Sequence, residues 1–361
     1  MSAPIPAPAR GAVVALIAAL VVLAVTLRLI TVAQSDFAAF YASAVAMSAG
    51  AAPPFDEFPN LNPPTFALLL RPLTWMPLNV AFVVWTLLGA SIVVWAVASV
   101  WHRHPAIRGR GWYALALCIG SVPALYAWSL GQVTWLLLVP SMCAWLAATD
   151  ARAGGWLGAI VAVKPTFGLV ALVLPWRVGM WTAASAAAIT GAAVVATGLA
   201  AWHEWLALES RIWWIGYQQN LSLWGIAARL HGERATMSDI FWPAAVPIGI
   251  VALAAAAWIV RQERNLRWLW AFWGSLLVMP LGWMFYLPLA LGPALVVWRT
   301  NAWTTAAVVI LAVPPAIWWT VLPRVPGGSF VAGALGAVAL GLLWIGLRPT
   351  SRTTRRPRLS S

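Results

Sequence analysis

The chain has 361 residues, of which 62% are hydrophobic and 9% charged, and its 22 Lys+Arg against 9 Asp+Glu give a formal net charge of +13. Apolar stretches of about 20 residues, each long enough to cross a bilayer, recur along nearly the whole length and exclude a string of soluble domains. The positive charge does not point to nucleic acid, because the arginines are dispersed among short loops between apolar runs, where the excess of positive charge on cytoplasmic loops accounts for them.

The expected fold is therefore all-α and integral to the membrane, with spans at roughly 11–33, 79–101, 111–129, 132–149, 154–163, 166–176, 179–201, 241–260, 267–281, 284–298, 302–321 and 329–347, about 12 membrane segments in all. The first run is longer than a signal-peptide core and has no clean A-x-A site, so it reads as a retained span. After it comes SDFAAFYASAVAMSAG, which reads as an amphipathic helix on the membrane surface with Asp36, Phe40 and Tyr41 near one face. One carboxylate at a helix start is as consistent with an N-cap, a role Ser35 also suits. Cys118 and Cys143 fall inside spans and read as small apolar residues, and His102, His104, His203 and His231 make no metal-ligand pattern.

Lys164, the only lysine, stands in the middle of GGWLGAIVAVKPTFGLVALVLPW. A cation at membrane depth faces a polar cavity, and the proline after it disfavours helix at the preceding residue. Two topologies follow, one crossing at Lys164 or a hairpin that breaks there. A single crossing would put RQERNLR and the tail RPTSRTTRRPRLSS outside, against the positive-inside preference. The hairpin reading keeps them inside. It makes Lys164 the tip of a re-entrant helical hairpin that opens from the cytoplasm, and it makes both termini cytoplasmic.

Two long outer loops result, at 34–78 and 202–240, and loops of that length are often functional. Asp36, Gln132, Lys164, Asn220, Arg229 and Tyr286 then map to one membrane side. The expected organisation is a catalytic transmembrane module over 1–240 carrying both loops, C-terminal transmembrane helices over 241–347, and a basic cytoplasmic tail over 348–361.

In order along the chain, SDFAAFY, NPPTFALLLRPL, GQVTWLLL, GAIVAVKPTFGLVAL, QQNLSLWGIAAR and PLGWMFYLP resemble the polyprenol-phosphate-mannose-dependent mannosyltransferases, glycosyltransferase family 87, of the multi-span GT-C class. The resemblance covers roughly residues 35–290. Two departures stand out: Asn62 where members often carry tyrosine, and Phe285 and Tyr286 where many carry histidine. The resemblance implies an inverting transfer of a hexose, mannose in the family, from a polyprenyl-phosphate donor to a hydroxyl of a lipid or glycan acceptor. It places the reaction on the periplasmic side of a bacterial plasma membrane, with Asp36 as general base. Lys164 and Arg229 would bind the donor phosphate. Tyr41, Gln132, Asn220, Ser222, Trp283 and Tyr286 would contact substrate. No Asp-x-Asp pair is present for a metal-bound nucleotide sugar, and no metal or other cofactor is expected. The competing reading is a lipid or small-solute transporter or flippase. Coupled transporters usually place acidic groups within their spans, and the expected spans here hold essentially none.

Overall fold

The computed structural model describes residues 7–50, 60–105, 116–147, 149–209, 212, 214–217, 220–232, 234–299, 301–311 and 328–347. The tail at 348–361 lies outside them. Among the described residues the regular structure is helical, and the one β-bridge pairs Asn220 with Trp283.

Helix α1, Ala7–Leu29, ends with Arg28 in its last turn, where the negative pole of the helix favours a cation. Helix α2, Asp36–Ser48, starts at Ser35, whose hydroxyl accepts from the Ala38 amide. Its buried side chains, Phe37, Phe40, Ser43 and Ala44, recur at helical spacing. Phe40 meets Phe66 of α3, Pro64–Leu70, edge-on at 5.1 Å, and Phe37 meets Phe82 of α4, Leu78–Arg103, at 5.5 Å. Aromatic pairs of this kind contribute about 0.5–1.5 kcal/mol each beyond their buried area. They fix the pose of α2, and with it the position of Asp36.

Downstream lie α5, Val122–Leu130, and α6, Thr134–Leu146, joined through Gly131, whose φ of +65° is left-handed. Helix α7, Asp150–Val163, is capped by the Thr149 side chain and stops at Lys164, because Pro165 cannot continue it. The chain passes through a 3-10 turn and the short α8, Gly168–Leu172, into α9, Trp176–Thr197. A methyl group placed on Gly154 would strike the backbone of Val178 and Thr182, and one on Gly158 would strike Ser185 and Ala186. The two contacts advance together along α7 and α9, so these helices run in the same direction. Residues 164–175 therefore carry the chain back along α7 before α9 starts. Ser185 donates to the Gly155 carbonyl at 3.0 Å across this seam, where small residues let the backbones approach.

Helix α10, Leu199–Glu209, donates from Trp205 Nε1 to the carbonyl of Leu61, tying this helix to the segment that leads into α3. Next come α11, Leu223–His231, α12, Met237–Ile259, α13, Arg264–Val278, α14, Leu291–Val297, α15, Ala302–Leu311, and α16, Gly328–Gly346.

Among the described residues, three helices are long and apolar enough to cross a membrane (α4, α9 and α12), rising to four if α5 and α6 count as one broken span. Of the about 12 segments expected, these helices account for three or four. The runs at 111–129 and 132–149 hold α5 and α6, of 9 and 13 residues, bent by 119°. The run at 284–298 divides into a 3-10 turn with Pro288 inside it and the seven-residue α14. Apolar content drives a hydropathy reading, whereas proline and glycine decide where a helix ends. In the run expected at 302–321, residues 312–321 fall outside the described residues.

Candidate active site

A cavity of about 960 Å3 opens where the end of α1, the start of α2, the α5–α6 turn, the Lys164 break and the 214–217 and 283–286 segments meet. Asp36, Tyr41, Gln132, Lys164, Trp283 and Tyr286 all line it. Six of the nine residues singled out in the sequence thus share one space.

Ser35 performs the N-capping, so the Asp36 carboxylate is not consumed by the helix start. One of its oxygens, Oδ2, accepts a hydrogen bond from Gln132 Nε2. Gln132 is held by the left-handed turn at Gly131, where any β-carbon would collide with Phe37 and Phe82. Asp36 lies past the end of α1, at the first residue of α2. Burial pushes its carboxyl up to about 6, against the lowering influence of the Gln132 hydrogen bond and of the Lys164 and Arg28 charges. A carboxyl tuned toward neutrality suits a group that must take up and release a proton.

Lys164 sits at the head of the break, its Nζ 5.8 Å from the centre of the Tyr286 ring. Phe167, one turn on, meets the same ring edge-on at 5.3 Å. Tyr286 thus seats the tip of the reversal. Tyr41 contributes its ring to the cavity, while its hydroxyl donates to the Met76 carbonyl at 2.7 Å.

Asn220, Ser222 and Arg229 do not line the cavity. Asn220 is fully buried, and its Nδ2 donates to the carbonyls of Ile215 and Pro280 at 2.8 and 2.9 Å. Ser222 caps α11 and also donates to the Pro280 carbonyl. With the Leu221 amide donating to the Gly282 carbonyl, these residues stitch the 214–222 segment to the 280–286 segment. They place Trp214, Tyr217 and Trp283 in the wall rather than touching its contents. Arg229 donates from one nitrogen to the carbonyls of Gly216, Tyr217 and Asn220 at 3.4, 3.0 and 3.2 Å. The expected phosphate role of Arg229 has no support in its placement; it clamps the turn behind the wall. Arg229→Leu strips these carbonyls of their charged donor and is expected to destabilise the fold by about 1.5–3 kcal/mol, the range for hydrogen bonds to charged groups. Thermal unfolding in detergent measures this. A large loss of donor affinity with unchanged melting would restore the phosphate role.

Arg28, Tyr126, Trp214 and Tyr217 also line the cavity and were not singled out, and Asn62, named above only as a departure from the family pattern, lines it too. Arg28 is a second cation near Asp36. It falls inside the span expected at 11–33, near its end, where a long arginine side chain reaches the interface; that was the one signal for it.

The comparisons agree with this architecture in part of the chain. A model described as glycosyltransferase family 87 matches residues 60–283, more than half the length. That stretch holds Gln132 and Lys164; Tyr286 lies three residues past its end, and Asp36 lies 24 residues before its start. No curated protein and no solved structure matches. Given the family match and the apolar helices, the chain is a membrane protein that belongs to glycosyltransferase family 87.

Proposed function

We propose that the enzyme transfers a hexose, with inversion, from a polyprenyl-phosphate donor to a hydroxyl of a lipid or glycan acceptor at the periplasmic face of a bacterial plasma membrane. The observation that carries the proposal is the meeting of one carboxylate, Asp36, with two cations, Lys164 and Arg28, in a single cavity. An alcohol is a weak nucleophile, and a positioned carboxylate removes its proton as the bond forms. Gln132 holds one oxygen of Asp36 and leaves the other for that proton. The acceptor oxygen bonds to the anomeric carbon from the face opposite the phosphate. The carbon–oxygen bond to phosphate breaks, and the departing lipid phosphate takes the electron pair. Lys164, with Arg28 nearby, stabilises that growing negative charge. Mannose is the sugar the family resemblance favours. A transfer assay on purified protein in detergent, with a panel of polyprenyl-phosphate sugars and a lipid-linked glycan acceptor, tests the reading; no transfer from any of them would end it.

The break at Lys164 and the common direction of α7 and α9 support a hairpin that enters from the cytoplasm and returns there, with both termini on that side. Reporter fusions after Arg177 and at the end of the tail are expected to report cytoplasm; a periplasmic signal at either point overturns this topology.

A further inference from the structure

We propose that Asn62 is a fixed acceptor for a hydroxyl of a substrate sugar, an inference that rests on the glycosyl-transfer reading. Asn60 and Asn62 are 4% and 3% exposed, and Asn62 lines the cavity. Both the backbone N–H and the side-chain Nδ2 of Asn62 donate to Asn60 Oδ1, at 2.9 and 2.8 Å. This double hold sets the orientation of the Asn62 amide, since a flipped amide would bring two oxygens face to face. Its remaining group, Oδ1, is buried and has no hydrogen-bond partner among the described residues. Buried acceptors left in this state are uncommon.

The local sequence explains why no backbone donor fills the place. An asparagine oxygen ordinarily captures an amide about two residues ahead. Here the next two residues are Pro63 and Pro64, which have no N–H. Next to the pair, the Leu61 carbonyl is anchored by Trp205 at 3.2 Å, so the segment is held from α10 as well. The result is a positioned, buried oxygen on a residue that lines the cavity, with its own chain unable to satisfy it.

The chemistry of that oxygen selects the ligand. An acceptor oxygen cannot bind an ionised phosphate, which offers only acceptors itself, so Asn62 Oδ1 is not a phosphate contact. It fits a hydroxyl donor, and in this cavity the hydroxyls come from the transferred sugar or from a sugar of the acceptor. A site built to bond a hydroxyl discriminates against the substrate that lacks it.

The test compares parent and monodeoxy substrates, in one series of donors and one of acceptors, on the wild type and on Asn62→Leu in detergent. In the wild type one monodeoxy substrate is expected to lose about 10-fold in kcat/KM. In Asn62→Leu the same ratio is expected to collapse toward unity, and the series in which this happens identifies the sugar. Both substrates meet the same variant, so a reduced folded fraction cancels. Should the leucine variant fail to fold, Asn62→Ala, which removes the same oxygen with less bulk, must show the same collapse. A deoxy penalty that persists for every substrate in whichever of the two variants folds overturns the proposal. Thermal stabilisation of the protein by parent and monodeoxy lipid-linked sugars gives a readout without turnover. A wild type that transfers nothing yet is stabilised by the parent sugar more than by a deoxy analogue would defeat the glycosyl-transfer reading and leave Asn62 as a hydroxyl acceptor.

Discussion

Asp36→Asn is expected to lower turnover by about 10²–10⁴-fold, the contribution of a well-placed general base, while the lipid donor still binds. Asparagine keeps the shape and can still accept the Gln132 hydrogen bond, but it cannot take up a proton. The same variant is expected to melt no lower than wild type at neutral pH, and the sign follows from the carboxyl itself. Burial raises the Asp36 pKa to about 6, so the folded protein holds this proton more tightly than the unfolded chain does. The contribution of Asp36 to stability is therefore most favourable below the ordinary carboxylate range, and it declines as pH rises to about 6. Above that pH the fold carries the cost of a buried charge, and asparagine removes it. The acidic limb of the wild-type pH–rate profile is expected near pH 6 for the same reason. Near-normal turnover in Asp36→Asn would remove the base from the mechanism. A sharply lowered melting temperature would make the residue structural.

Lys164→Met is expected to cost about 100-fold or more in kcat/KM, the scale for deleting one preorganised group that meets developing charge. The protein should still insert and fold, because methionine matches the length of the lysine stem. Lys164→Arg is not expected to rescue: a planar guanidinium is larger than an ammonium and cannot occupy the place over the Tyr286 ring in the same way. Donor affinity, followed by displacement of a labelled polyprenyl phosphate, separates this role from a purely mechanical one. Unchanged affinity and turnover in the methionine variant would reduce Lys164 to a helix-breaking position.

Much of the site was legible in the sequence because its key residues break local rules. A lysine in an apolar run and a proline behind it announce both a charge and a break. Asp36 and Gln132 follow or precede expected spans, where interfacial polar groups gather, and the structure joins them by a hydrogen bond. The less legible part concerns residues whose polarity serves the backbone. Asn220, Ser222 and Arg229 look identical in sequence to ligand-binding groups, yet their partners are carbonyls contributed from as far away as Pro280. Pairings across that distance leave no trace in local pattern. Arg28 was hidden for the opposite reason, since a basic residue closing a span is ordinary. In the fold, apolar runs located the helices, but not which of them are bent or cut short.

The bridge between Asn220 and Trp283 also bears on how the enzyme is made. Asp36 leaves the ribosome early, Gln132 and Lys164 later, and the strap carrying Trp283 and Tyr286 only after α11, α12 and α13 have been synthesised. α12, with 17% of its apolar window buried, leans on little else in the protein. It can enter the bilayer as a separate unit while the chain ahead of it waits. The closing wall of the cavity is thus the last piece delivered. Until it docks, the cavity that holds Asp36 and Lys164 lacks the wall formed by Trp283, Phe285 and Tyr286.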